Sequence, residues 1–562
     1  MSMKKIVLLF SAVILLSINS NAQLNLMWAK SVGGADIDEG LSVVVDATGN
    51  VYTVGTFTGT ADLDPSASTL NFTSVGDEDV FVIKQNSVGG LIWAKAFGGS
   101  NTDTPAGVGV DNSGNVYISG TYGGAIDLDP SAATFSFFTG SIEVFVSKLD
   151  ASGNFVWGVS MGSGANDRAL AMKVDGSGNV YTTGSFEGMM DFDPGAGTYN
   201  ITPFGSGGTD VFVSKLNTNG NFAWAINLGG IGVDSPNGVS VDALFNVYVT
   251  GTFEDIADFD PGASTFTLSS IDQKDAFVCK LDGNGAFVWA KQFGGLNRQN
   301  GYSVVTDATN NVYVTGDYQG SVDFDPGAAT FSLTSSAALY SSFAVKLNST
   351  GNFVWAKNIS GSNDVLGSKI FIAPNGFVYW SGYNKGIADL DPGAGTNNSN
   401  SVTGFDTFLT KLDASGGYLY AESFPYVWNS FVVNSLSEVI LTGRFLLTTD
   451  FDPTATSSTI TSAGSADACI VKLNILTTSS DESDPKDVQI DIYPNPNTGN
   501  FVINAPEGSV VKIVNTLGQE IATYTITNSE QKTHLNECKN GIYFLMISSK
   551  GKHSCKKFVI AN

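Results

Sequence analysis

Paired aspartates are the residues of this chain best placed to do chemistry. The motif Asp-x-Asp-Pro occurs seven times: at Asp62 and Asp64, Asp127 and Asp129, Asp191 and Asp193, Asp258 and Asp260, Asp323 and Asp325, Asp389 and Asp391, and Asp450 and Asp452. In an extended strand, residues two apart share a face at a spacing of about 7 Å, with the intervening Phe or Leu on the other face. Two carboxylates so placed invite a hard cation such as calcium. The same residues also spell a turn, in which the second Asp caps, Pro presets φ and Gly or Ser takes the third place. A calcium site needs about six or more oxygens, and the motif supplies few. The spacing favours the turn, and calcium is the one cofactor to look for.

Enzyme chemistry is narrowed by inventory. The two histidines are His534 and His553, so the repeated region holds neither a Ser-His-Asp triad nor a histidine-based metal site. A glycoside hydrolase needs only carboxylates. Arg168, Arg298 and Arg444 fall near loops expected on one face, as in sialidases, but Asp150, Gly153 and Trp157 lack the spacing of the sialidase aspartate box. Catalysis needs one asymmetric constellation, so residues present in every copy read as scaffold. Single-copy residues are the better candidates for a ligand patch: Arg168, Glu187, Glu254 and Arg298, with Met189 and Met190 beside them. The repeated lysines Lys84, Lys148, Lys215, Lys280, Lys346, Lys411 and Lys472 are expected to pair with carboxylates or to snorkel to an edge.

The motifs recur with a period of roughly 65 residues, the signature of a repeat architecture. Each copy carries four strand signals. In the second copy these are GVGVD from Gly107, NVYISG from Asn115, VFVSKL from Val144 and NFVWGV from Asn154. Turns rich in Asp, Asn, Ser and Gly separate the first two and the last two. Four antiparallel strands per unit, repeated seven times, predict an all-β, seven-bladed β-propeller over residues 24–474. The tryptophan strand appears once before the first copy, at residues 26–32, and is missing after the last. An open blade edge is an aggregation hazard, so the Trp28 strand is expected to close the ring. Trp93, Trp157, Trp224, Trp289 and Trp355 are its counterparts, with Tyr420 in the remaining place.

The net charge of -25 disfavours nucleic acid and anionic lipid as partners. Lys4 and Lys5, an apolar run over residues 6–18 and Asn21-Ala22-Gln23 read as a secretory signal peptide over residues 1–22; the run is short for a membrane span. No other stretch approaches a transmembrane segment. Cys279 and Cys469 lie in different registers of equivalent strands and read as buried, unpaired side chains, whereas Cys538 and Cys555 suit a disulfide in an exported protein. Residues 475–487 are polar and acidic and read as a linker. Residues 488–562 change pattern to a small β-sandwich of immunoglobulin-like type.

Two resemblances follow from these residues. The units resemble the bacterial β-propeller repeat of the pattern V-D-x-x-G-N-V-Y-V-T-G, then F-V-x-K-L, then W. The last copy departs most, with NSLSEVI from Asn434. The tail resembles the type A C-terminal sorting domain of the type IX secretion system of Gram-negative bacteria. The matching residues are Ile492, Tyr493, Pro494, Asn495, Pro496, Asn497, Thr498, Gly499 and Phe501, then Gly518 and Gln519, then Gly541, Ile542 and Tyr543. This resemblance implies the type IX machinery as a partner and the outer cell surface or the medium as destination. The expected function is a non-enzymatic binding or adhesion scaffold for an extracellular glycan or protein. The alternative is a secreted carbohydrate-active hydrolase using carboxylates on the propeller face.

Overall fold

The computed structural model describes residues 23–476 and 491–561, apart from short breaks at 206, 336–337, 455, 496, 516–519, 529, 536–539 and 550–551. The described residues are all-β. Their contacts divide into two compact units, residues 22–476 and a second unit that contains the C-terminal residues from 477.

In the larger unit, each Asp-x-Asp-Pro motif belongs to one antiparallel group of four strands. The first group is Asp38–Val45, Val51–Asp62, Asn71–Gln85 and Leu91–Gly99, paired in that order. The turn between its first two strands shows why the sequence reads D-x-x-G-N-x-Y. Asp46 Oδ1 accepts the Thr48 and Asn50 N–H groups, its Oδ2 accepts the Tyr52 hydroxyl, and Gly49 takes φ 84°. Asn434 does the same work in the divergent last copy, where its Oδ1 accepts the Leu436 and Glu438 N–H groups. That copy therefore differs in spelling and not in shape.

The last group consists of Val427–Val433, Glu438–Asp450 and Thr459–Leu476, and its fourth strand is Gln23–Gly34. Leu26 pairs with Leu473, Trp28 with Lys472 and Val32 with Ala468. This group packs on the first one: Asn429 Nδ2 donates to Glu39 Oε1 and to Gly40 O, and Arg444 lies 3.3 Å from Glu39. Apolar clusters fill the spaces between neighbouring groups. One combines Ile440, Ala468 and Ile470 with Val43, Phe57 and Phe81; another combines Tyr52, Val54 and Val82 with Val116, Ile118 and Phe145.

The repeated lysines other than Lys411 reach a neighbouring group, and only Lys472 of them is also seen to pair with a carboxylate among the described residues. Lys84 Nζ and Trp93 Nε1 both donate to Ala151 O, in a turn of the next group. Lys148 with Trp157 on Thr218 O, Lys215 with Trp224 on Gly283 O, and Lys346 with Trp355 on Ala414 O repeat the clamp. Lys472 with Trp28 makes it from the last group to Ser87 O of the first, and Lys472 also forms an ion pair with Glu438 at 2.6 Å. Each of these lysines but Lys472 also lies over a tyrosine ring, as Lys84 does on Tyr52 at 4.9 Å. Lys411 would need a turn in the last group, but there the outer two strands come from opposite ends of the chain and no turn joins them. Its ammonium rests on Phe377 and Tyr379 instead. Tyr420 replaces tryptophan at the same junction, and its hydroxyl accepts the Leu24 N–H.

The smaller unit is a pair of sheets on one core. Asp491–Tyr493, Asn500–Asn504 and Glu530–His534 form one; Glu520–Thr525, Val510–Asn515, Gly541–Ser549 and Lys552–Ile560 form the other. Ile492, Phe501, Ile503, Ile513, Leu545 and Phe558 are buried between them. The strand Glu530–His534 was not expected from the sequence. Cys279 and Cys469 are buried and free; the Cys538–Cys555 pairing lies outside the described residues.

Candidate functional site

The Asp-x-Asp-Pro carboxylates are used within their own loops. Strands end at the first Asp, so the two carboxylates do not lie on one strand face as the spacing suggested. Asp191 Oδ1 accepts the Asp193 N–H at 3.1 Å and the Tyr199 N–H at 2.8 Å, closing the loop, and Asp193 Oδ1 accepts the Gly195 N–H at 2.9 Å. The same bonds recur in every copy, from Asp62, Asp64, Asp127 and Asp129 to Asp258, Asp260, Asp323, Asp325, Asp389, Asp391, Asp450 and Asp452. The intervening residue, such as Leu63 or Phe192, is fully buried. The first Asp also pairs with the outer strand of the preceding group, Gly98 with Asp127 and Gly229 with Asp258, so the motif ties neighbours together. Among the described residues, no group of three or more His, Cys, Asp or Glu side chains is placed to hold a metal ion.

A second set of acids lies at the junctions between groups and went unread in the sequence. Asp38 of the first group meets Asp467 of the last, Asp79 meets Asp103, and Asp210 meets Asp234; all six are almost fully buried. Burial, then the neighbouring Asp79, pushes the Asp103 carboxyl up to about 8. Burial moves Asp234 to about 7, with Asp210 and Glu254 adding repulsion, and Asp38 to about 6, with Asp467 adding to it. Glycine makes room for each pair. A Cβ on Gly229 would stand 2.7 Å from Asp210 Oδ1 and 2.8 Å from Asp234 Oδ2. Where the acid is absent the glycine is too, for Ser341 Oγ bonds Ser360 Oγ at the equivalent place. The three atoms nearest a Cβ on Gly98 would all belong to Asp79, its Oδ1 at 2.3 Å, so Gly98→Ser is expected to cost about 1–3 kcal/mol by overpacking, and adding Asp79→Ser should recover most of it in thermal unfolding. No recovery in the double variant would break the link between the two positions.

The single-copy residues sit at one end of their groups but do not form one cluster. Arg168 lines a cavity of about 680 Å³ with Asp77, Asn101, Tyr122 and Leu170. Glu187 Oε2 accepts a long bond from Asn166 Nδ2. Glu254 and Arg298 are brought to the same loop: Glu254 pairs with Lys274 at 3.1 Å, and Arg298 Nε donates to Gln273 Oε1 at 2.9 Å. Met189 is exposed, whereas Met190 is buried and belongs to the core.

In the tail, Asn495 Oδ1 accepts the Val559 N–H, Gly499 takes φ 89°, Tyr493 is exposed and Pro494 follows it. Gly541 opens a strand against Ile560, and Tyr543 is buried beside Phe558. Pro496, Gly518 and Gln519 lie outside the described residues. Among the described residues no helix is long and apolar enough to cross a membrane.

Comparison with known proteins places these features. Residues 491–561 match the family described as secretion system C-terminal sorting domain, and residues 92–121 match the beta-propeller repeat. An uncharacterized WD repeat-containing protein of Acanthamoeba polyphaga mimivirus is 22% identical over 472 residues, covering 70% of this chain and 34% of that protein. The regulatory protein FlaEY of Caulobacter vibrioides is 27% identical over 147 residues, 26% of this chain and 15% of that one. The chain thus spans about a third or less of the length of these curated relatives. Among solved structures, a protein of unknown function from Bacteroides caccae aligns over 61% of this chain and 89% of its own, with 10% identity and a TM-score of 0.30. PorZ, a surface component of the type IX secretion system of Porphyromonas gingivalis, aligns over 95% and 100% with 10% identity and a TM-score of 0.18. The chain carries β-propeller repeats followed by a type IX sorting domain, and is an exported protein of the cell surface or the medium.

Proposed function

We propose that the mature protein is a seven-bladed propeller that acts outside the cell as a non-enzymatic binding or adhesion scaffold. In this reading residues 1–22 direct export across the inner membrane, residues 24–474 form the ring closed by the Trp28 strand, residues 475–487 are a linker, and residues 488–562 engage the type IX machinery. The observation that carries the binding reading is the division of labour among the polar groups. The carboxylates that recur close loops or sit buried at junctions, whereas Arg168 occurs once and lines an open cavity. A propeller presents such single-copy residues on a rigid frame, and the fold itself is neutral as to activity.

The test is a panel of glycans, glycosides and surface proteins offered to the purified chain, with and without calcium. Saturable binding without turnover is expected, weakened by Arg168→Ala and unchanged by calcium. Turnover of any glycoside would turn the reading to a carbohydrate-active hydrolase, and a calcium requirement would return the Asp-x-Asp-Pro loops to metal binding.

A further inference from the structure

The first strands of the groups surround two further cavities, and two lysines stand in them. The larger, about 860 Å³, is lined from five groups, by Val44, Val110, Lys173, Phe371 and Val432 among others. The smaller, about 300 Å³, is lined by Lys369 with Asn237, Tyr302 and Tyr383. Lys369 and Phe371 are two apart on the strand Val365–Ile372 and so share a face, which places the two lysines at different levels of the space enclosed by the first strands.

Neither lysine matches its register equivalents. Lys173 stands opposite Tyr181 where Val44 stands opposite Tyr52, and Lys369 opposite Ser381 where Ser42 stands opposite Val54. Neither Lys173 nor Lys369 takes part in the ion pairs Lys274–Glu254, Arg444–Glu39 and Lys472–Glu438. Surrounding protein desolvates both ammonium groups and lowers their affinity for the proton, with no carboxylate acting against it. Lys173 is nonetheless open to solvent within the cavity. Each lysine thus presents an unpaired cation to the enclosed space, Lys173 beside valine and phenylalanine side chains. Asp46 and Glu438 also line the larger cavity, but they are engaged by Asn50 and Tyr52 and by Lys472, which leaves the anion to be supplied by a ligand.

We infer that the tunnel binds a small organic anion, its carboxylate or phosphate head at Lys173 or Lys369 and its apolar body against Phe371 and the valines. Asn237, whose Nδ2 donates one hydrogen to Gly301 O, stands beside Lys369 with a second to give, whereas the Tyr302 hydroxyl already donates to Asp317. This rests on the binding reading above and adds the ligand class and the place.

Calorimetric titration of the full chain with decanoate, decanol and inorganic phosphate tests it. Decanoate is expected to bind at least tenfold more tightly than either decanol or phosphate, and the double variant Lys173→Met, Lys369→Met to lose at least tenfold. The variant should melt no lower than wild type, since neither ammonium takes part in the ion pairs above. Equal binding of decanol, preferential binding of phosphate, unchanged decanoate binding by the variant, or a lower melting temperature would each overturn the inference. A chain that binds a ligand of the surface panel but no decanoate leaves the scaffold reading standing and removes this one.

Discussion

Removing residues 25–31 should abolish cooperative folding of the propeller, while deleting a piece of equal length from residues 477–487 should leave its melting temperature unchanged. The first deletion strips most of the ladder between Gln23–Gly34 and Thr459–Leu476 and takes with it the indole of Trp28 on Ser87 O. It also pulls out the partners of Leu473 and Val471, both fully buried. At about 1 kcal/mol for each hydrogen bond and about 1.5–3 kcal/mol for each large apolar side chain, the loss is of order 10 kcal/mol. That matches the whole stability of an ordinary domain, about 5–15 kcal/mol. Joining the two ends of the chain costs little by comparison, since closure entropy rises by only about 0.6 kcal/mol for each doubling of loop length. Circular dichroism and differential scanning calorimetry read the result directly. A wild-type transition in the first deletion would show that another segment fills the last group.

Stability should also rise as the pH is lowered from 8 to about 5. Asp103, Asp234, Asp38 and Asp210 have folded values of about 8, 7, 6 and 6 against an ordinary 3.8, chiefly through burial. Burial raises Asp79 and Asp467 as well. Between the ordinary value and these raised values, the folded protein holds protons that the unfolded chain has released. The contribution of these acids is therefore fully present below pH 4 and is lost as pH rises through 6 to 8. A second set works the other way. Burial opposes ionisation of Asp46 and Asp111, but bonds from Thr48, Asn50, Asn115 and Tyr117 outweigh it and hold both below the usual range. Their contribution disappears as pH falls below 4, so a maximum is expected near pH 4. Asp103→Asn, which keeps the shape and removes the charge, should raise the stability at pH 8 by about a few kcal/mol, read as a higher melting temperature, and flatten the profile. A wild-type profile that climbs steadily from pH 5 to 8 would contradict the junction acids.

The fold was legible in the sequence to the extent that it was written in repeats. Period, strand signals and hairpin turns could be read because glycine, asparagine and alternating valines each have one local use. The lone Trp28 strand could be read because a repeat counted from its tryptophan leaves one edge unmatched. The junction acids were not legible, since Asp79 and Asp103 are unremarkable in sequence and become a pair only when neighbouring groups meet. A signal was there in retrospect: Asp79, Asp210, Asp275 and Asp467 recur before the buried third strand, answered by Gly98, Gly229, Gly294 and Gly33, and serine stands in both places at Ser341 and Ser360. The lysine clamps were missed for the same reason, because the carbonyl they seek lies in the next repeat. Glu530–His534 escaped because only Thr533 and, in part, Gln531 turn inward, leaving no apolar alternation to see. Among the candidate ligand residues, sequence placed Arg168, Glu187, Glu254 and Arg298 at one end of the groups, but only Glu254 and Arg298 are drawn to one loop, through Lys274 and Gln273.

A cargo that folds by itself and a tail that delivers it make up the proposed division of the chain. Its most direct test is to express the full chain and a chain lacking residues 488–562 in a bacterium with a type IX system, and to follow the propeller by blotting in periplasm, surface and medium. The full chain is expected outside the cell. The shortened chain should remain in the periplasm, folded and resistant to protease, because residues 22–476 form a compact unit with its own core. Shortened protein outside the cell at the level of the full chain would contradict the delivery role, and shortened protein that is periplasmic but degraded would contradict the independence of the cargo.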